Sequence, residues 1–133
     1  MIVDTNHVTL VVADLDAARR FYVEALGMAE VPRPASFSFA GAWYRAGPAE
    51  LHLIRRDEAS QPPGDIPPVT TERADLARAR HVAFTVESVE ACLQRLAQHN
   101  VAVVLGPRPR GDGALQWYCY DPDGHLVEFC TRP

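Results

Sequence analysis

Two stretches of the chain show the same change in hydrophobic period. Residues 7–12, HVTLVV, are apolar and β-branched, as a strand requires, and the following DLDAARRFYVEALG switches to helical spacing with Leu15, Ala18, Tyr22 and Leu26 on one face. The carboxylate of Asp14 is placed to accept the orphan amide protons of the first helical turn, and Gly27 can take the left-handed conformation that ends a helix. In the second half HVAFTV at 81–86 is followed by Ser88 and an apolar stripe of Val89, Cys92, Leu93 and Leu96, with Asn100 in the place of Gly27. His7 precedes Asp14, and His81 precedes Ser88, by the same seven residues. This agreement predicts an internal duplication.

Each helix is followed by three short apolar runs broken by Gly and Pro. They predict strands near residues 29–31, 37–45 and 50–54, and again near 101–105, 115–120 and 126–131. The last two are joined by Asp121-Pro122-Asp123-Gly124, a residue order that suits a type I turn. Each half is thus a βαβββ module and the fold class is α+β. Module 1 covers about 1–55 and module 2 about 80–133 of a single domain. Between them 56–79 contains Pro62, Pro63, Pro67 and Pro68, which favour an extended connection, either a surface linker or a lid. A short helix is expected at 72–80.

The chain has 133 residues, 47% hydrophobic, enough for one domain that buries roughly two-thirds of its unfolded surface. Its formal charge is −4 with scattered basic residues, which argues against nucleic acid or an anionic membrane as partner and for a small molecule. No apolar run approaches the roughly 20 residues needed to span a bilayer. Nothing in Met1–Thr5 reads as a secretory signal, and cytoplasmic residence is the expectation. Cys92, Cys119 and Cys130 cannot all pair in one chain and form no zinc-ligand cluster, so a reducing compartment and buried structural thiols are expected.

The candidate chemistry follows from the duplication. His7 and His81 begin equivalent strands, while His52 and Glu128 lie on the strands that close each half, 45 and 47 residues further on. Alternation along a strand places His7 with Thr9 and Val11, His52 with Glu50 and Ile54, His81 with Ala83 and Thr85, and Glu128 with Leu126 and Cys130. A lone histidine on a half-buried strand is ordinarily just a hydrogen-bonded polar residue; four matched positions argue for a shared role. Three imidazoles and a carboxylate suit Zn, Ni, Mn, Fe or Co and leave positions open for substrate. With His7, His81 and Glu128 alone, the set is the two-histidine, one-carboxylate arrangement that non-haem iron also uses. Glu128 or His52 is then the candidate for moving protons. Trp43, Tyr44, Trp117 and Tyr118 are candidate pocket aromatics, and Thr9, Arg108, Arg110 and Tyr118 are candidate contacts to an anionic substrate. His99 and His125 read as surface residues.

NHVTLVVADLDAARRFYVEALGM, ELHLI, RHVAFTV and DPDGHLVEF together resemble the glyoxalase, bleomycin-resistance and extradiol-dioxygenase superfamily, the vicinal oxygen chelate proteins, over essentially the whole chain. The resemblance implies an open, barrel-like mixed sheet around a central cavity, often in a homodimer, with His7, His81 and Glu128 at metal-binding positions. His52 stands where Glu or Gln is common.

Filled ligand positions resemble those of a glyoxalase-I-like lyase or isomerase acting on a substrate that chelates the ion through adjacent oxygens. The arginine that such enzymes present to glutathione on the first strand is here Val11. Similarity of NHVTLVVADL and DPDGHLVE to fosfomycin-resistance thiol transferases supports the alternative, with a thiol cosubstrate and Tyr118 near a phosphonate-contacting position. A third reading is a metal-free, bleomycin-resistance-like drug-binding protein, though such proteins usually lack the ligands.

Overall fold

The computed structural model describes residues 1–60 and 76–133. The chain forms two compact units, Met1–Pro67 and Pro68–Pro133. The prolines expected to make a linker or lid, and the first part of the helix expected at 72–80, lie outside the described residues. Of that helix, a single 3-10 turn at Leu76–Arg78 is seen.

The first unit runs β1 (His7–Val12), α1 (Leu15–Arg19), β2 (Ala29–Val31), β3 (Gly41–Ala46) and β4 (Ala49–Arg55). Asp14 caps α1 as expected, its carboxylate accepting from the backbone N–H of Asp16 at 2.8 Å and Ala17 at 3.1 Å. The helix does not keep its 3.6-residue period. From Arg20 to Ala25 it widens into a π-helix, with the Leu26 N–H reaching back to the Phe21 carbonyl at 2.9 Å. Widening turns both Phe21 and Tyr22 inward, so Phe21, which helical spacing left off the apolar face, is buried with Ala18 and Tyr22. Gly27, at φ 77°, follows the helical segment as expected.

The sheet order is β1-β4-β3-β2, with β1 parallel to β4 and the other pairs antiparallel. Tyr44, Leu51 and Leu53 are buried in the core, where the Tyr44 ring lies 6.4 Å from that of Tyr22. β3 begins at Gly41, not near Phe37, because the backbone after Pro34 turns, with the Phe37 N–H donating to the Pro34 carbonyl.

The second unit repeats the plan with β5 (Val82–Thr85), α2 (Val89–Gln98), β6 (Leu105–Pro109), β7 (Leu115–Tyr120) and β8 (Leu126–Cys130), in the order β5-β8-β7-β6. Ser88 caps α2 through the Ala91 N–H at 3.1 Å, and Asn100, at φ 57°, takes the left-handed position predicted for it. The strand expected at 101–105 forms later, at Leu105–Pro109. Val104 still donates to the Tyr118 carbonyl, and the register shifts between Leu105 and Arg108, where Gly106 at φ 83° lets the backbone pass. A Cβ on Gly106 would lie 2.5 Å from the Gln116 carbonyl oxygen. The turn after β7 closes as expected, with the Gly124 N–H donating to the Asp121 carbonyl at 3.0 Å. β8 is buried along its whole length. Among the described residues, no helix is long and apolar enough to cross a membrane.

Candidate metal and substrate site

In the first unit, strand register arranges the sheet face opposite Tyr44 and Leu51 in rows. Thr9, His52 and Trp43 form one row, and His7, Glu50 and Arg45 the next. His52 is flanked by two rings, stacking on His7 with centroids 4.0 Å apart and on Trp43 with centroids 4.0 Å apart. Its Nε2 donates to Glu50 Oε2 at 2.8 Å, and the other Glu50 oxygen accepts from Arg45 Nη2 at 2.7 Å. These contacts, that of His52 first and Arg45 second, hold Glu50 below the usual carboxylate range. A carboxylate only accepts, so His52 Nε2 carries the proton and Nδ1 the lone pair. His7 is set the other way: its Nδ1 lies 2.7 Å from Asn6 Oδ1, which leaves Nε2 as the nitrogen able to donate a lone pair.

The corresponding row of the second unit is Ala83, Glu128, Tyr118 and Leu105. Duplication therefore matches His52 with Glu128 and Trp43 with Tyr118. Glu128 is only 4% exposed. Its Oε2 accepts from the Tyr118 hydroxyl at 2.9 Å and lies 2.8 Å from His81 Nε2, while Oε1 is 3.9 Å from Arg110 Nη1. The Gln116 amide lies 3.2 Å from the same hydroxyl. The aromatic body of Tyr118 packs with Leu76 and Leu126, which fixes its hydroxyl on the carboxylate. The edge of the His81 ring meets Tyr118 at 5.7 Å.

His81 Nδ1 lies 2.7 Å from the Ala79 carbonyl. Both of its nitrogens therefore face oxygens that can only accept. A divalent ion between Nε2 and Oε2 would satisfy lone pairs on both. A histidine whose Nδ1–H is fixed by a carbonyl is the usual arrangement for a ligand bound through Nε2. The His81 and Glu128 pair is thus compatible with two ligands of one ion. His7 shares the tautomer of His81, whereas His52 Nε2 is already engaged by Glu50. Among the described residues, no three His, Cys, Asp or Glu side chains form a metal-holding group; the donors come as a pair in each unit.

The remaining candidates divide by face. Thr9 and Trp43 share the His52 row, and Arg108 lies opposite Gln116, on the Tyr118 and Glu128 side of its sheet. Trp117 does not belong with them. It pairs with Phe129, one residue out of step with Tyr118 and Glu128, and is fully buried with its ring stacked on Phe129 at 5.9 Å. Its proposed substrate contact is corrected to a core role. Tyr44 is likewise core. His125, expected at the surface, is buried, because the Asp121 carboxylate draws the turn in by accepting from the His125 N–H at 2.8 Å. Arg110 binds Asp112, which holds that carboxyl down at about 2. Cys92, Cys119 and Cys130 are free thiols, and burial pushes Cys119 up to about 12. Sequence reasoning missed Asn6 and Gln116. The strand register, once known, places Gln116 two residues before Tyr118 on the same face; Asn6 carries no comparable signal.

The sequence profile of the Glyoxalase/Bleomycin resistance protein/Dioxygenase superfamily matches residues 5–129. The chain belongs to this superfamily. Within the superfamily, it is 28% identical over 127 residues to Glyoxylase I 4 of Arabidopsis thaliana, covering 95% of this chain and 69% of that protein. It is 34% identical over 130 residues to the glutathione transferase FosA of Serratia marcescens, covering 96% and 80% of the two chains. The crystal structure of a glyoxalase/dioxygenase from Nostoc punctiforme aligns with a TM-score of 0.74 at 27% identity, covering 98% of this chain and 91% of that one.

Proposed function

We propose that this superfamily member is a metal-dependent enzyme of glyoxalase-I-like lyase or isomerase type, acting as a homodimer on a small molecule with adjacent oxygens. The observation that carries the reading is the pair of His81 Nε2 and Glu128 Oε2, 2.8 Å apart, with the Nδ1 side of His81 already facing a carbonyl. His7, in the same tautomer, is the third proposed ligand. A bound divalent ion supplies Lewis acidity that offsets negative charge developing on the substrate oxygens. His52 has a different part. Glu50 orients it and two stacked rings hold it, so it is proposed as a proton-transfer group and not as a permanent ligand. Thr9, Trp43, Arg108 and Tyr118 bind and orient the substrate, and Tyr118 also aims Glu128.

The similarity to a glutathione transferase favours one second reading, a thiol transferase that uses a thiol cosubstrate. The two readings part on the reaction. Metal-reconstituted protein is expected to isomerise a 2-oxoaldehyde hemithioacetal, with His52→Ala lowering kcat by about 10²–10⁴-fold. Consumption of a phosphonate epoxide together with the thiol, and no isomerisation, would replace the lyase by the transferase.

A further inference from the structure

The site face of the first sheet continues beyond Trp43 into a cluster that the proposed chemistry does not use. Arg33 crosses Gly41, where a Cβ would lie 3.1 Å from both Cζ and Nε of the arginine and would collide with the Leu53 carbonyl oxygen. The guanidinium carbon stands 4.8 Å from the centroid of Phe37 and 4.6 Å from that of Phe39. These two rings meet edge to face at 5.3 Å, and Phe37 meets Trp43 in the same manner at 5.8 Å. Trp43 in turn stacks on His52. An aromatic path therefore leads from the guanidinium to the proposed proton-transfer residue.

Two demands are unmet along this path. Arg33 Nη2 is buried and has no hydrogen-bond partner among the described residues. Ring faces attract the cation but give its in-plane N–H groups no acceptor. Phe37 and Phe39, beside it, remain 40% and 38% exposed. Clustered exposed aromatics next to a polar group in need of an acceptor are characteristic of a ligand site, since such sites combine apolar walls with a few placed polar groups. One kind of molecule meets both demands: an anion carried on an aromatic body.

We propose that Arg33, Phe37 and Phe39 form a specificity subsite for a carboxylate attached to an aromatic group, which orients the substrate's reacting end along Trp43 toward His52. The carboxylate reaches Nη2 by displacing the exposed ring of Phe37 or Phe39, and the aromatic body takes that ring's place against the remaining one. The guanidinium suits this role because its planar fork binds carboxylates with direction, which an ammonium cannot do. Gly41 is required because a Cβ there would collide with the Leu53 carbonyl oxygen and crowd the Arg33 guanidinium. The inference rests on reading the His7 and His52 face as the reacting face.

The test uses the full chain with two probes of the same shape, phenylacetate and its neutral counterpart phenylacetamide, titrated by NMR or calorimetry. Phenylacetate is expected to bind the unaltered protein at least about tenfold more tightly, as loss of a charged hydrogen bond implies for the amide. Arg33→Met, which keeps the stem, should shrink the preference to within about twofold while metal content stays unchanged. Arg33→Lys should retain part of it, and gives the answer if the methionine variant is unstable. Phe39→Ala should weaken both probes alike. Equal binding of the two probes, no binding of either at millimolar concentration, or a preference that survives Arg33→Met would overturn the subsite. A preference seen in protein that takes up no metal would uphold the subsite and count against the metal-dependent reading alone.

Discussion

At the scale of single residues, the decisive contacts are those that settle where protons and lone pairs lie. The Tyr118 hydroxyl holds the same Glu128 oxygen that faces His81, so in the proposed site it would aim the carboxylate without being a ligand itself. Tyr118→Phe is expected to weaken metal retention by about 10–100-fold, as is usual when a partner behind a ligand is lost, with little change in the circular dichroism spectrum. Competition with a chromogenic chelator measures this; unaltered affinity would show that the hydroxyl has no part in holding the carboxylate. A second residue-scale expectation concerns Asp112, held at about 2 chiefly by its hydrogen bond to Arg110. A depressed carboxyl contributes stability that is present above its ordinary value and is lost as pH falls toward the folded value. Its NMR titration midpoint should therefore lie near 2, and Asp112→Asn should flatten the acid limb of the stability curve between about pH 4 and 2. A midpoint near 4 would deny the pairing.

At the scale of elements, the caps and the periods carried most of the fold. Asp14→Ala should destabilise the chain by about 1 kcal/mol in urea, because two backbone N–H groups lose their acceptor. A change within error would mean that the first turn is held by packing alone. β1, β2 and β7 could be read to their ends because alternation and turn residues agree there. β3 and β6 could not. Phe37 and Phe39 look like strand residues, yet their rings pack with Arg33 instead of extending the ladder, and Val101–Val104 have strand composition without forming a strand. The π-helical widening left no sign in the spacing of Leu15, Ala18, Tyr22 and Leu26. Trp117 shows how a site is misread: adjacent aromatics on one strand point to opposite faces, and the register decides which of them sits with Glu128. His7, His52, His81 and Glu128 stand out in the sequence as candidates because the repeated pattern singles out those positions. The Glu50 contact that distinguishes His52 from the others was not, since composition does not tell a rim carboxylate from a hydrogen-bonded one.

At the scale of the whole molecule, two βαβββ units with one plan carry different residues at matched positions: His52 against Glu128, Trp43 against Tyr118, Thr9 against Ala83. Duplication supplied the frame, and divergence gave one unit a stacked histidine with its carboxylate and the other a buried carboxylate with its tyrosine. The metal reading names His7, His81 and Glu128 as the proposed ligands. Elemental analysis of untagged protein purified without chelator, repeated on His7→Ala, His81→Ala and Glu128→Ala, tests it most directly. Near-stoichiometric divalent metal in the unaltered protein, lost in all three variants, is the expected result. No metal after incubation with Ni, Zn, Mn, Fe or Co, or metal retained at full occupancy in the variants, would contradict it.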